Sequence, residues 1–318
     1  MSSRKPRNKK ELIAQIASLE VAAYTRRQLD DLTKIYKKAE RDWTSRLLAL
    51  TTIGMSVVEV NRSIRAIKIS IKAVEEATKS WADTVVPLSY DRGLDVADRQ
   101  IIRLGVADSV NKNTAMHAAA IASITSSTVL DMMRATKQTE RALTQYVQMS
   151  RVPATKDSRK VTALRKAISS GSYVSINGRN YNLVQYMKLV AQTRTRDAVT
   201  EATVNAALQY GMDLVMWDIH DNACTKCQPF LGRVFSISGK HPEFPFLARR
   251  PALHPLCECT IHPINEEVLR ETGMYDRVLA LSNNPDVAIL GRGSYDRILG
   301  KEPMDIAAIE AGLVRGAA

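Results

Sequence analysis

Apolar residues recur at the spacing of one helical face along the first half of the chain. The spacing runs through Leu12, Ile16, Leu19 and Ala23, resumes in a shifted phase at Leu29, Leu32, Tyr36, Ala39, Trp43 and Leu47, and continues at Ile64, Ile67, Ile71, Val74 and Trp81. Charged residues such as Asp30, Lys34 and Arg41 fall between these positions. The pattern predicts long amphipathic helices whose apolar faces form a core or contact a partner helix.

Proline and short polar segments are expected to separate these helices. Pro87 should end the helix that carries Trp81, because proline lacks a backbone N–H and its ring clashes with the preceding turn. Further helices are predicted over about residues 95–105 and 114–147, with a break at 109–113. The longest uncharged stretch, residues 113–130, is rich in Ser, Thr and Ala, which predicts a buried helix and not a membrane span.

The second half of the chain mixes helical and strand-like segments. Asn177-Gly178 between two β-rich runs indicates a hairpin over residues 173–181, and a strong helix is predicted over 183–210. A second hairpin is predicted from the runs near Val215 and Val234, followed by a short strand over 260–264. The predicted organisation is a basic arm (1–10), a helical domain (11–150), a linker and hairpin (151–182), an α+β module (183–265) and a polar, partly helical tail (266–318).

All four cysteines of the 318-residue chain lie in one window within that module. Cys224 and Cys227 form a C-x2-C pair in the predicted hairpin loop, and Cys257 and Cys259 form a second pair shortly after His254. A C-x2-C pair directs two sulfurs to one point, and a second pair can complete a tetrahedral zinc shell. Two disulfides, or reduced thiols without metal, are the alternatives. The pattern favours a structural zinc ion with ligands drawn from Cys224, Cys227, His254, Cys257 and Cys259.

The net charge of +12 is concentrated in part in two basic segments. Lysine and arginine attract phosphates through counterion release, so these segments are predicted to contact DNA without sequence preference. The alternative is that they remain solvated and keep the protein soluble. No aromatic residue interleaves the first segment, so base stacking is not expected. The predicted DNA contacts are Arg4, Lys5, Arg7, Lys9 and Lys10 in the arm, with Arg159 and Lys160 in the second segment.

Signatures of catalysis and of secretion are weak. A zinc deaminase needs H-x-E before P-C-x-x-C, whereas His241-Pro242-Glu243 follows the C-x2-C pair of this chain. Four sulfurs would also close the coordination position that a catalytic zinc keeps open. The start of the chain, Met1-Ser2-Ser3-Arg4, shows no signal-peptide pattern, which favours a reducing compartment. We expect no enzymatic activity, no small-molecule substrate and no membrane partner.

The cysteine window resembles the C-terminal module of phage head-morphogenesis (Mu protein F-like) and minor capsid proteins. That module reads approximately W-D, C-x2-C, L-G-x-V-F, a proline-rich spacer and H-P-x-C-x-C. The matching residues here, in the same order, are Trp217-Asp218, Cys224, Cys227, Leu231 to Phe235 and His254 to Cys259. The segments 186–196, 209–215 and 236–240 are also similar, so the resemblance covers about residues 180–265. Glu258 departs from it, since a basic residue is common between the last two cysteines.

The resemblance implies a phage minor capsid protein. Such a protein would associate with the portal protein and with capsid or scaffold proteins, and would support procapsid assembly and DNA packaging or ejection. It would lie in the virion, in the capsid interior or at the portal vertex, and in the host cytoplasm during assembly. The alternative is a zinc-containing nucleic-acid-binding protein of a mobile element. The predicted fold is mainly α, with a long-helix N-terminal domain followed by a small α+β module with a Cys/His zinc knuckle.

Overall fold

The described part of the chain is mainly helical, as predicted. The computed structural model describes residues 29–47, 56–149, 162, 166, 174–176, 178–217, 226–251, 253, 259–271 and 273–283. Within these residues the helices are α1 (29–47), α2 (Val57–Arg103), α3 (Ala115–Met149), α4 (Leu183–Gln209), α5 (Glu266–Glu271) and α6 (Tyr275–Asn283). The strands are β1 (Val174–Ile176), β2 (Arg179–Tyr181), β3 (Leu214–Trp217), β4 (Val234–Ser236) and β5 (Ile261–Pro263). A 3-10 turn covers Gln228–Phe230.

The prediction that Pro87 ends a helix is wrong. Helix α2 runs without interruption from Val57 to Arg103 and contains Pro87, so it joins the two helices that the sequence pattern separated. A proline inside a helix costs about 3 kcal/mol. Val86 and Tyr90 are fully buried beside it, and each such side chain contributes roughly 1.5–3 kcal/mol. Packing of the residues around the proline therefore outweighs the lost helical hydrogen bond.

The chain divides into two compact units. Of the described residues, the first unit comprises 29–85 and 125–192, and the second comprises 86–124 and 193–283. The division falls inside α2, α3 and α4. Each unit has a hydrophobic core of its own, and the second has three clusters of buried residues.

The core of the first unit contains the apolar stripe predicted for α1. Its members Leu32, Tyr36, Ala39, Trp43 and Leu47 are all buried. The Tyr36 hydroxyl is hydrogen-bonded to Thr78, and Trp43 Nε1 donates to Ser70 Oγ at 3.0 Å, so two buried polar atoms of α1 are satisfied by α2. The predicted hairpin is also present, with β1 and β2 antiparallel. These contacts confirm that the stripe is an internal face of the protein.

A buried polar chain organises the helical part of the second unit. Asn205 Nδ2 donates to Tyr90 Oη at 2.9 Å, and Tyr90 Oη lies 2.9 Å from His117 Nδ1. His117 Nε2 lies 3.1 Å from Gln209 Oε1, and the Gln209 amide donates to the backbone oxygen of Asn111 at 3.2 Å. Both ring nitrogens of His117 thus have a polar partner within hydrogen-bonding distance. The chain thus ties α2, α3 and α4 together with the loop that follows α2.

Close backbone contact between α2 and α4 requires glycine in the same unit. A Cβ atom added at Gly93 would lie 2.6 Å from the backbone oxygen of Val199 and 2.7 Å from Ala202 Cβ. Ala198, Ala202 and Ala206 of α4 are fully buried. Small side chains on both helices therefore set their separation.

The second unit also contains a three-stranded antiparallel sheet with the order β4-β3-β5. All four residues of the central strand β3 are buried. Beyond β4, the segment around Phe246 forms a parallel bridge with Ser236, and the Val234 N–H donates to Ser282 Oγ of α6 at 2.9 Å. The N–H of Ser236 donates to the backbone oxygen of Pro245 at 2.8 Å. A segment and a helix side chain thus cover the outer side of β4.

Candidate functional site

The sheet brings the two cysteine segments of the sequence to one end. Antiparallel pairing places Trp217, the last residue of β3, opposite Ile261, the first residue of β5. Trp217 N–H also donates to the Arg233 oxygen at 2.9 Å, just before β4. The end of β3 and the starts of β4 and β5 therefore meet, and the predicted hairpin with the C-x2-C pair in its loop is confirmed. The second cysteine pair leads directly into β5.

Cys227 is held by the tight turn that closes this hairpin loop. The Phe230 N–H donates to the Cys227 oxygen at 2.8 Å, which closes the 3-10 turn. Gly232 then adopts a φ of +70°, where a side chain would be strained, and its N–H donates to the Trp217 oxygen at 2.8 Å. The Leu-Gly pair of the motif thus returns the chain to β3. The Cys227 side chain is completely buried.

The thiols of Cys227 and Cys259 belong to one buried cluster. Its other fully buried or nearly buried members include Trp217, Phe235 and Ile261. The Trp217 ring stacks on Phe230 with 4.9 Å between ring centroids and meets Phe235 edge-on at 6.4 Å. This aromatic packing holds the turn that follows Cys227 against the central strand.

The described part of this site is compatible with zinc. Cys227 and Cys259 are soft donors in one apolar cluster, as a structural zinc site requires. Trp217 Nε1 is buried and has no hydrogen-bond partner among the described residues. Neither described cysteine sulfur accepts this N–H, so it adds no support for a metal-bound thiolate. The burial of two soft donors in one cluster is what makes the described residues compatible with the predicted ion.

Most of the other predicted site residues lie outside the described part of the chain. These are Cys224, His254 and Cys257 among the metal ligands, and all seven predicted DNA contacts: Arg4, Lys5, Arg7, Lys9, Lys10, Arg159 and Lys160. Among the residues that the structure describes, no three His, Cys, Asp or Glu side chains come together as a metal site. His262 lies in β5 opposite Met216 and is half-buried. The zinc ligands and the DNA contacts remain predictions.

The segment after β4 is organised by Asp213. Its carboxylate accepts hydrogen bonds from Ser236 Oγ at 2.6 Å and from the Ser238 N–H at 2.7 Å. Burial acts to raise the pKa of Asp213, but these hydrogen bonds together hold it below its ordinary value. The carboxylate is therefore ionised at neutral pH and fixes the Ser-Ile-Ser-Gly-Lys segment.

His241 and Glu243 have structural contacts. His241 Nδ1 accepts the N–H groups of Glu243 and Phe244 at 3.2 and 3.1 Å, and Nε2 lies 3.1 Å from a Glu266 carboxylate oxygen. Glu243 accepts the Tyr275 hydroxyl, and the guanidinium of Arg270 lies 3.6 Å from the Tyr275 ring centroid. Hydrogen bonds from Arg270 first, and from His241 second, lower the pKa of Glu266. His241 therefore holds α5 through Glu266, and Glu243 holds α6 through Tyr275.

Two features of the second unit were not predicted from the sequence, one at the cysteine site and one among the helices. The Trp217 cluster includes Leu247, which belongs to the proline-rich spacer and packs beside the cysteines. The Tyr90–His117–Asn205–Gln209 chain joins polar residues that are far apart in the sequence. His117, a lone histidine in the uncharged stretch of residues 113–130, was the visible signal of that chain, since a buried imidazole needs partners.

Comparison with known proteins agrees with the resemblance given above. The family model of phage minor capsid protein 2 matches residues 71–244, more than half of the chain, and extends upstream of the expected segment into α2. No curated protein and no solved structure matches the chain significantly. Within the described residues, no helix has the length and apolar character needed to cross a membrane. The predicted relationship to phage minor capsid proteins is confirmed, and the chain belongs to the phage minor capsid protein 2 family.

Proposed function

We propose that this protein is a portal-associated minor capsid component that supports procapsid assembly and DNA packaging or delivery. The proposal starts from the structural role in the phage capsid that membership of the family supports. The observation that carries it is the match over residues 71–244, which includes α3, α4 and the β3–β4 hairpin. Long helices supply rigid surfaces for contact with other capsid proteins.

Purification of procapsids through a tagged portal protein tests the association. The full-length chain should be recovered with portal-containing procapsids and be depleted from particles assembled without portal protein. Equal recovery from both kinds of particle would refute portal association and leave a general capsid role. A deletion of residues 1–150 is not suitable for this test, because it would remove buried residues from the cores of both units.

We also propose that one structural zinc ion is held by Cys224, Cys227 and two of His254, Cys257 and Cys259. Burial of Cys227 and Cys259 in one cluster supports this set. When bound, zinc would cross-link the hairpin loop to the segment before β5. Because structural zinc contributes about 10–16 kcal/mol of apparent binding free energy in small peptides, Cys227→Ser should loosen the sheet and leave the first unit folded.

Elemental analysis with thiol titration tests the zinc proposal. We expect about one zinc per chain and four thiols that react only after denaturation or chelation. His262→Ala is the matched control for His254→Ala, since both residues precede proline. Well under one zinc per chain with four reactive native thiols would refute the site. A larger loss of zinc from His262→Ala than from His254→Ala would refute the ligand assignment.

A further inference from the structure

Helix α2 exposes a basic stripe that the sequence prediction of DNA contacts did not include. The stripe consists of Arg62, Arg65, Lys68 and Lys72, all of them exposed. Their spacing of three to four residues places them on neighbouring positions of one helical face. The stripe extends over about 15 Å, at about 1.5 Å of rise per residue. It forms a linear array of four positive charges.

The opposite face of α2 fixes the stripe toward the outside of the first unit. Ile67, Ile71 and Val74 are buried in its core, at 1%, 2% and 4% exposure. Ile69 lies within the stripe and is 72% exposed. A single exposed aliphatic side chain is ordinary on a protein surface and does not by itself indicate a partner. Charge is therefore the property that distinguishes this face.

Two of the acidic residues that flank the stripe have their close contacts elsewhere. No acidic residue occurs between Val60 and Val74. Glu59 caps the start of α2, where its carboxylate accepts hydrogen bonds from Ser56 N and Oγ at 2.9 and 2.8 Å. Glu75 pairs with Lys137 at 3.3 Å. Among the described residues, no acidic side chain lies within 4 Å of a stripe nitrogen. The Glu59 carboxylate still attracts Arg62, and the exposed Glu76 follows Lys72 by four residues, so Arg65 and Lys68 in the middle of the stripe are the least compensated.

We infer that this stripe binds the phosphate backbone of double-stranded DNA without sequence preference. The inference rests on the proposed capsid function, which places the protein beside a packaged genome. A linear array of cations that form no ion pair among the described residues matches a polyphosphate. The exposed positions of the stripe carry no aromatic residue, which excludes the stacking platform that single-strand binders use. Aromatic anchors for a protein partner, which dominate many protein interfaces, are absent from the described stripe for the same reason.

Binding of the full-length protein to a labelled duplex at several salt concentrations tests the inference. The variant Arg65→Gln/Lys68→Gln/Lys72→Gln removes three charges from the stripe. Lys34→Gln/Lys112→Gln/Lys137→Gln is the matched control, since it removes the same charge from lysines that already pair with acidic residues. Arg65→Lys/Lys68→Arg/Lys72→Arg keeps the stripe charged and tests rescue. Circular dichroism verifies folding of all three variants.

The stripe variant should flatten the slope of log affinity against log salt by up to about 2.7, at about 0.9 per lost phosphate contact. When salt is raised from about 50 to 200 mM, the affinity of the stripe variant should therefore fall by a factor roughly 40 times smaller than that of the unmodified protein. The paired-lysine control and the rescue variant should retain a slope near that of the unmodified protein. Two unrelated duplex sequences should give the same result.

Other outcomes would overturn the inference. An unchanged slope in the stripe variant, or an equal change in the paired-lysine control, excludes a phosphate contact at the stripe. Normal duplex binding combined with loss of the stripe variant from procapsids would assign this face to an acidic protein partner. If the stripe binds DNA as expected but the unmodified protein is absent from portal-containing procapsids, the proposed function fails and the inference stands.

Discussion

Tyr36 shows how one buried side chain couples folding to pH. Its hydroxyl is hydrogen-bonded to Thr78, and burial raises its pKa to about 12, above the ordinary value of 10.0. As pH rises, the unfolded chain loses this proton first, so stability is complete below pH 10.0 and falls as pH approaches 12. We expect a loss of roughly 3 kcal/mol in the free energy of unfolding across that interval.

Urea unfolding of Tyr36→Phe at about pH 9 and about pH 11 measures this contribution. The variant should be less stable than the unmodified protein at the lower pH and should lose less stability on going to the higher pH. Tyr181→Phe is the control, because Tyr181 is half-buried and its hydroxyl forms no hydrogen bond with another described residue. An identical pH dependence for Tyr36→Phe and the unmodified protein would contradict the expectation.

The substitution Gly93→Ala has two opposing effects on the free energy of unfolding. In an open helix, Gly→Ala is stabilising by about 1 kcal/mol, because alanine restricts the unfolded chain and favours the helix. Here the new Cβ would lie 2.6 Å from the Val199 carbonyl oxygen, a backbone atom that cannot rotate away. Overpacking of this kind typically costs about 1–3 kcal/mol beyond the intrinsic gain. We therefore expect Gly93→Ala to lower the free energy of unfolding.

Urea denaturation of Gly93→Ala and Gly105→Ala compares steric overlap with backbone strain. Gly105 has a φ of +66° and open space around its missing side chain, so its substitution should cost about 1 kcal/mol through conformation alone. An increase in stability for Gly93→Ala would show that α2 and α4 move apart at negligible cost.

At the scale of the elements, the continuity of α2 through Pro87 depends on packing. The Pro87 ring is half-buried, and its neighbours Val85, Val86, Ser89 and Tyr90 are buried. Pro87→Ala restores a backbone N–H and should raise the free energy of unfolding by about 1–3 kcal/mol. Thr84→Ala, an exposed position of the same helix, should change it by less than about 0.5 kcal/mol. Destabilisation by Pro87→Ala would mean that the unit cores require the helix geometry imposed by proline.

The helices were largely predictable from the sequence because their apolar spacing is local information. The stripe from Leu32 to Leu47 gave both the type of element and the buried face of α1. The course of α2 through Pro87 was not predictable, since the outcome depends on tertiary burial of Val86 and Tyr90. The same holds for the chain through Asn205 and His117, whose polar partners lie on different helices.

For the candidate site, the sequence predicted the strands that bring the cysteine segments together, but only part of the contacts that its side chains make. Turn residues around the C-x2-C pair predicted the hairpin, and antiparallel pairing then brings Cys259 to the same end of the sheet. The absence of close ion pairs at Arg65 and Lys68 among the described residues was not predictable. It depends on the contacts that nearby carboxylates make in the folded protein, such as those of Glu59 with Ser56 and of Glu75 with Lys137. Sequence alone gives the charges and not their pairing.

At the scale of the whole molecule, the basic arm and the α2 stripe should act independently on DNA. Neutralising Arg4, Lys5, Arg7, Lys9 and Lys10 should flatten the salt slope by up to about 0.9 per lost contact, and the change should add to that of the stripe variant. Duplex binding by the arm variant, the stripe variant and their combination measures this. Portal association should remain nearly intact in the arm variant. A combined slope change no larger than either single change would contradict independent contacts.

The covered outer side of β4 has a consequence for how partners recognise the second unit. An exposed strand edge offers unpaired N–H and C=O groups, which a strand of another protein can extend. Here Ser282 takes the Val234 N–H, and the residues around Phe246 take both backbone groups of Ser236. The Val234 N–H and both backbone groups of Ser236 are therefore already bonded within the chain. A partner that binds at this side of β4 therefore has to contact side chains, because these backbone groups are not available to an added strand. For the same reason, we expect little strand-to-strand association between copies through β4.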